Sequence, residues 1–328
     1  MTANAKIKTR LLLFIVCVLL LTWVIPVDAL ANTHHGPPRV TIDDINAHNG
    51  YIRVKMRDDI VNCIRVKIIY PCGMSKNYAI NEKGIWFRFS LTQSGDVTVI
   101  VAERIVGNRF AILKQTPIHI VHKNPLSPFL ASTQLINFTY ETSFVQLAHT
   151  IANQSTFVMQ NIVDLYMWVV QHFEYNFDFA AYQMNTSTPR LLHDNIPCLE
   201  DLYVSLYGVC IDFTVVLAAM LRSQGIPAKV AIGRMDNLLH AWLYVNIAGI
   251  EWDNHQSVTF FNQTIHKNEI LNNVCRDGWL LMCPTLTMMR NQARSKDVSA
   301  DNQNIRRTTI TMSGLSQPDW VLSIYSFH

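Results

Sequence analysis

Two textures of apolar and polar positions divide the chain. From about Val40 to His122 the two kinds of residue alternate in short runs: "YIRVKM", "CIRVKIIY", "GIWFRFSL", "DVTVIVAERI", "RFAILK" and "IHIV". Gly, Pro, Asn and Asp break the runs apart. A period of two sends alternate side chains to opposite faces of a strand, and the breaks supply turns. This predicts five to seven strands in an antiparallel sandwich, immunoglobulin-like or related. The region holds no cluster of catalytic residue types, so its expected role is support or adhesion.

The pattern changes after "HKNPLSPF" (122–129), whose two prolines mark a linker. In "SFVQLAHTIANQSTFVMQNIVDLYMWVVQHFEY" apolar residues recur every three or four positions, as in helices packed on a core. A polar loop, "QMNTSTPRLLHDN", follows. A second long helical pattern lies in "LYGVCIDFTVVLAAMLRSQGIP", Leu206 to Pro227. It should end at Gln224, with Gly225 in a left-handed cap and Pro227 blocking continuation. Three strand-like runs come next, "AKVAIGRM", "HAWLYVNI" and "IEWDNH", the last two joined by an Ala248-Gly249 turn. The C-terminal part is polar, with "DWVLSIYSF" as a final strand. The expected organisation is residues 1–31 a signal peptide or anchor, 32–39 a linker and 40–123 the β-sandwich. Residues 124–134 are a second linker, 135–287 an α+β domain and 288–328 a polar C-terminal segment.

Composition narrows the function classes. The 328 residues are 49% hydrophobic and 16% charged, which fits sizeable cores and excludes a disordered chain. A formal charge of +3 lacks the basic footprint of a nucleic-acid binder. At the N-terminus Lys6, Lys8 and Arg10 precede "LLLFIVCVLLLTWVIPV", and the segment closes on Ala29 to Ala31. That reads as a secretory signal cut after Ala31, or as an uncleaved anchor over residues 11–27. Either places the bulk of the chain outside the cytoplasm, secreted or tethered, with membrane contact only through the N-terminal segment. Cys17 lacks the preceding small residue of a lipid-modified cysteine.

Six cysteines remain beyond that segment: Cys63, Cys72, Cys198, Cys210, Cys275 and Cys283. An even count in an oxidising compartment suggests disulfides. Spacing offers Cys63 with Cys72 and Cys275 with Cys283, leaving Cys198 and Cys210 as partners or as two thiols. No zinc-ligand spacing and no HExxH occur, so no metal is expected. Four Asn-x-Ser/Thr sequons, at Asn137, Asn153, Asn185 and Asn262, bear on glycosylation only in a host that performs it.

Cys210 invites a sharper reading than a disulfide. It follows Gly208, which permits a tight turn, and opens a helix. Unpaired N–H groups and the positive end of the helix dipole favour a thiolate there and can hold an oxyanion. Asp212 suits the helix start and works against the thiolate. A cysteine nucleophile also needs a base and a group to orient it. His240 opens the strand "HAWLYVNI", and Asp253 stands in "IEWDNH". With the turn at Ala248-Gly249, Asp253 faces Tyr244 on His240's side of the sheet, about 13 Å short of His240. A turn nearer Asn246-Ile247, or a bulge, would bring the two together.

"YGVCIDFTVVLAAMLRSQGIPAKVAIG", then "HAWLYV", then "WDNHQ" resemble the transglutaminase-like superfamily of papain-like cysteine enzymes. The resemblance covers about Leu135 to Gln256, with "FEYNF" like the family's lead-in to its cysteine. It implies a papain-like α+β fold, with Cys210 as nucleophile, His240 as base and then acid, and Asp253 orienting His240. Asn254 stands where members often carry Pro. Tyr175 and Gln171 are candidates for a second oxyanion donor. Tyr207, Trp242 and Tyr244 are candidates to line the cleft, with packing as the plainer role for each. The implied chemistry is acyl transfer or hydrolysis at amide bonds of a protein or peptide through a thioester, without a cofactor. Protease or amidase is favoured over cross-linker, since nothing specific for glutamine and lysine recognition appears. The alternative is a non-catalytic surface-binding protein with a degenerate domain.

Overall fold

The computed structural model describes residues 38–60, 63–80, 82–107, 109–185, 196–235, 238–260, 262–271 and 276–289. The N-terminal apolar run, Cys275 and the expected final strand "DWVLSIYSF" lie outside the described residues. No helix among the described residues is long and apolar enough to cross a membrane.

Seven strands build the N-terminal sandwich. β1 (Val40–Asp43), β2 (Tyr51–Met56) and β5 (Trp86–Ser90) form one antiparallel sheet in the order β1-β2-β5. β3 (Ile64–Ile69), β4 (Ser75–Ile80), β6 (Gly95–Val106) and β7 (Arg109–Ile120) form the other in the order β4-β3-β6-β7. The alternation seen in the sequence becomes the core. Ile52, Val54 and Met56 of β2 meet Ile64, Val66 and Ile68 of β3 and Val97, Val99 and Val101 of β6, all buried in one cluster. Full burial of side chains of this size contributes roughly 1.5–3 kcal/mol each. In the constant-type immunoglobulin arrangement the fourth strand sits on the first sheet. Here it pairs with β3 instead, giving three strands on four.

That geometry overturns one expected disulfide. Cys63 and Cys72 are separate thiols. Cys63 immediately precedes β3 and Cys72 lies in the turn beyond it, so roughly 20 Å of extended strand separates them. A disulfide needs Cα atoms within about 7 Å. The Cys72 thiol instead lies 3.2 Å from Gln93 Oε1.

The second unit begins with α1 (Ser143–Ala152) and α2 (Val158–His172), which split the long helical pattern at "NQSTF". β8 (Glu174–Tyr175), α3 (Phe177–Asn185), α4 (Leu199–Ser205) and β9 (Tyr207–Gly208) lead to α5 (Cys210–Ser223). α3 occupies the start of a stretch expected to be loop. Then come β10 (Ala228–Met235), β11 (Leu238–Asn246), β12 (Ser257–Phe260), β13 (Gln263–His266), α6 (Lys267–Leu271), β14 (Trp279–Met282) and a last helix at 284–289.

α5 is the axis of this unit. Every residue from Phe213 to Leu221 is buried, all but Thr214 in the same cluster as Phe144, Ile162, Leu165, Leu243 and Val245. A helix apolar all round has no stable place except the interior. It stops where expected: Gly225 has φ 75°, and the Ile226 N–H reaches back to the Leu221 carbonyl at 3.0 Å.

The expected hairpin does not form. Ala248-Gly249 is a turn, with Gly249 at φ 72°, but "IEWDNH" does not return as a strand. Two competitors explain this. The open edge of β11 is taken by β14, with Leu243 opposite Met282 and Asn246 opposite Trp279. The Glu251 carbonyl accepts the Met159 N–H at 3.3 Å, meeting a donor that the first turn of α2 leaves unpaired. Trp252 packs against the main core.

Candidate active site

The site starts with a parallel pairing that sequence periodicity does not reveal. β8 lies beside β9, with Tyr175 opposite Gly208, and the Asn176 N–H donates to the Gly208 carbonyl at 2.8 Å. The lead-in segment is thereby fixed against the turn that opens α5. Gly208 is needed there for space rather than for an unusual φ. A Cβ would stand 2.7 Å from Asp212 Oδ2 and from Asp212 Cβ. Asp212 is that close because its carboxylate folds back to accept the Val209 N–H at 2.8 Å, capping the helix. One turn on, the Thr214 hydroxyl donates to the Cys210 carbonyl at 2.7 Å.

β11 approaches this helix start. Ala241, Leu243 and Val245 turn into the core shared with α5, and the Ala241 N–H faces the Cys210 sulfur. His240, one residue earlier, points to the other face. Its Nε2 lies 3.1 Å from Sγ of Cys283, and its ring lies 6.2 Å from that of Trp242 at an interplanar angle of 21°. Cys283 directly follows β14 and is held from behind. The Tyr166 hydroxyl donates to the Cys283 carbonyl at 3.0 Å and lies 2.6 Å from the Thr287 hydroxyl.

The residues singled out in the sequence divide as follows. Tyr175 lies near Cys210, paired with Gly208 two residues before it and packed on the same core cluster. His240 and Trp242 stand on the adjoining strand. Tyr244 and Trp242 are buried in a small cluster with Cys283. Trp242 also covers Gly233, where a Cβ would stand 2.8 Å from the indole ring. Tyr207 is 41% exposed, and Gln171 is exposed near the end of α2. Asp253 uses its carboxylate on Ser257, Oδ1 accepting the backbone N–H at 2.7 Å and Oδ2 facing the hydroxyl at 3.3 Å. Cys283 is the thiol that sequence reading did not place near His240. Spacing offered it instead as a disulfide partner of Cys275, which lies outside the described residues, and contact with His240 depends on β14 filling the edge of β11. The Trp242 indole N–H and the Thr285 hydroxyl are buried without a hydrogen-bond partner among the described residues.

Burial sets the protonation. It raises the Cys210 thiol above its ordinary value. The Ala241 and Ile211 N–H groups pull the other way, and the Asp212 charge adds to the rise. The helix start alone was expected to lower this thiol; with Cys210 only 5% exposed, desolvation outweighs it. His240 is pushed down to about 4, again by burial. Asp212 is raised by burial, opposed by the Val209 N–H. Burial also raises Tyr175, which keeps its proton. At neutral pH Cys210 is therefore a thiol, and His240 is a neutral imidazole standing against the Cys283 sulfur. A neutral imidazole retains a lone pair that can take a proton, as a general base must.

Comparison with known proteins places a family on this geometry. Residues 145–259 match the model of the transglutaminase-like superfamily, a span that contains Cys210, His240 and Asp253. No curated protein sequence matches the chain. Among solved structures, it is similar to the periplasmic domain of TgpA from Pseudomonas aeruginosa bound to ethylmercury. That match has TM-score 0.32 and 13% identity, over 78% of this chain and 99% of that one. It is also similar to a "putative cysteine protease" from Cytophaga hutchinsonii, with TM-score 0.33 and 15% identity, over 71% of this chain and 78% of that one.

Proposed function

Residues 145–259 are a transglutaminase-like domain, and from that premise we propose that the chain is an extracytoplasmic cysteine enzyme acting on amide bonds of a protein or peptide. Hydrolysis is favoured over cross-linking. The observation that carries the reading is the meeting of α5 with β11: Cys210 opens the helix, and the Ala241 N–H that faces its sulfur belongs to the residue next to His240.

The chemistry runs in two balanced halves. The Cys210 sulfur attacks the amide carbonyl carbon while its proton passes to His240. The oxyanion that forms is met by N–H donors at the helix start and by the protonated Tyr175 hydroxyl. The C–N bond then breaks, His240 returns the proton to the leaving nitrogen, and a thioester remains. Water resolves it in hydrolysis and an amine in transfer: His240 takes the proton of the attacking group, the C–S bond breaks, and His240 hands that proton to the departing Cys210 sulfur. In this reading His240 swings from Cys283 toward Cys210, and Asp253 exchanges Ser257 for the other imidazole nitrogen. Export rests on the basic start, the apolar run and Ala29 to Ala31.

The 3.1 Å contact between His240 and Cys283 favours a second reading, in which Cys283 is the nucleophile. One experiment separates the two. The full chain is incubated with a peptide pool and hydroxylamine, and hydroxamate, ammonia and new amino termini are measured. Turnover retained in Cys283→Ser and lost in Cys210→Ala is expected. The reverse pattern assigns the chemistry to Cys283. No product with the unsubstituted protein counts against an enzyme.

A further inference from the structure

Apolar side chains stand in solvent on the two segments that lead into Cys210. Phe177 at the start of α3 is 60% exposed, Val204 on α4 is 86% exposed, and Tyr203 and Tyr207 are exposed as well. Single exposed apolar residues are ordinary on a protein surface, whereas several together mark a face that meets a partner. The β8–β9 pairing sets the two segments side by side. Glu174 lies opposite Tyr207 and Tyr175 opposite Gly208, and the Phe177 ring stands 4.9 Å from that of Tyr175. Tyr203 and Val204 lie on the last turn of α4, just before this pair. The face therefore ends at the turn that opens α5 with Cys210.

The same segments are acidic. Residues 171–182 and 196–209 hold Glu174, Asp178, Glu200 and Asp201, all exposed, and no Lys or Arg. None of the four carboxylates forms an ion pair among the described residues. Glu200 accepts the Ser143 N–H and hydroxyl at 3.0 and 2.6 Å, contacts that leave its charge in place. The sandwich shows what an exposed ring beside a carboxylate holds. There the Arg53 guanidinium lies 5.1 Å from the centre of the Trp86 ring and donates to Asp43 at 2.9 Å. A guanidinium or ammonium is drawn both to the ring face and to the carboxylate. The face beside Cys210 carries the rings and the carboxylates. Among the described residues, no cation of the chain lies over Phe177, Tyr203 or Tyr207.

We propose that this face docks a polypeptide segment in which Lys or Arg alternates with apolar side chains, and so presents a neighbouring amide to Cys210. The proposal rests on the cysteine-enzyme reading and adds to it a substrate class, a basic and apolar stretch of protein. Rings and carboxylates act on different parts of such a segment. Its apolar side chains cover Phe177 and Val204, and its cations meet Glu174 and Asp178 beside the Tyr207 ring. Complementary charge also speeds encounter with a basic partner at low salt and disfavours acidic ones.

The test uses the full chain carrying Cys210→Ala, so that binding is read without turnover. The probe is a fluorescein-labelled peptide of alternating arginine and leucine, with a counterpart of equal length in which glutamine replaces arginine. Fluorescence anisotropy should show the arginine peptide binding roughly tenfold tighter, the sum of two contacts of surface strength. That advantage should shrink as salt is raised. Glu174→Gln combined with Asp178→Asn should remove the advantage and leave the glutamine peptide unaffected, whereas Phe177→Ser should weaken both peptides. Should Phe177→Ser not fold, Val204→Ser is expected to show the same loss. Equal binding of the two peptides, or a preference that the double variant keeps, overturns the proposal. Self-association of the chain that Val204→Lys abolishes would give the face to a second copy and also overturn it. Failure of the enzymatic reading looks different. Charge-dependent docking without turnover by the unsubstituted protein supports the surface and counts against the enzyme, while turnover of both peptides at equal rates does the reverse.

Discussion

At the scale of single residues the site is governed by burial rather than by the helix start. Cys210 is held as a thiol, so its alkylation by iodoacetamide in the resting protein should rise at higher pH than that of an ordinary thiol. Exposed Cys198 should be labelled first, and peptide mapping over a pH series checks the order. Faster labelling of Cys210 than of Cys198 at neutral pH would contradict this. His240 carries a separate signature in stability. Its folded value of about 4 lies below the ordinary 6.5, so between those limits the unfolded chain binds more protons than the folded one. Stability therefore falls as pH drops from 6.5 to 4, by up to about 3 kcal/mol at 1.36 kcal/mol per pH unit. His240→Gln should flatten that slope in denaturant titrations at pH 4, 5 and 6.5. An unchanged slope would place His240 in water.

At the scale of elements, the turn into α5 makes a sharp demand. Gly208→Ala drives a methyl into Asp212 and breaks the cap on Val209. We expect a loss of about 2 kcal/mol in urea unfolding, the combined size of a lost cap and a local clash. How much of these elements the sequence disclosed follows from which forces are local. The strands of the sandwich were legible because one buried face leaves a period of two. The end of α5 was legible because Gly225 and Pro227 act within a few residues. The 250–256 segment was misread because its path depends on distant partners, β14 on the edge of β11 and the first turn of α2. The site was legible in the same proportion. Cys210 and His240 were marked by their places at a helix start and on a strand. The Cys283 contact was hidden because it arises only when β14 closes the sheet.

At the scale of the whole molecule two cores meet across a polar junction. Gln134 reaches the Ala79 carbonyl of β4 at 2.6 Å, while Arg222 reaches Ala131 in the connecting segment and Ala228 at the start of β10. Arg222→Met removes the donors from carbonyls that stay buried, and should cost about 3 kcal/mol in chemical unfolding. A cost near zero would mean that water already serves those carbonyls. The proposed chemistry turns on which sulfur carries the acyl group. Its most direct test is to quench the full chain in acid during turnover of a peptide pool and map the modified cysteine by tandem mass spectrometry. An acyl mass on the peptide containing Cys210, absent when His240 is replaced by Ala, is the predicted result. An acyl mass on the peptide containing Cys283, or on neither, would contradict it.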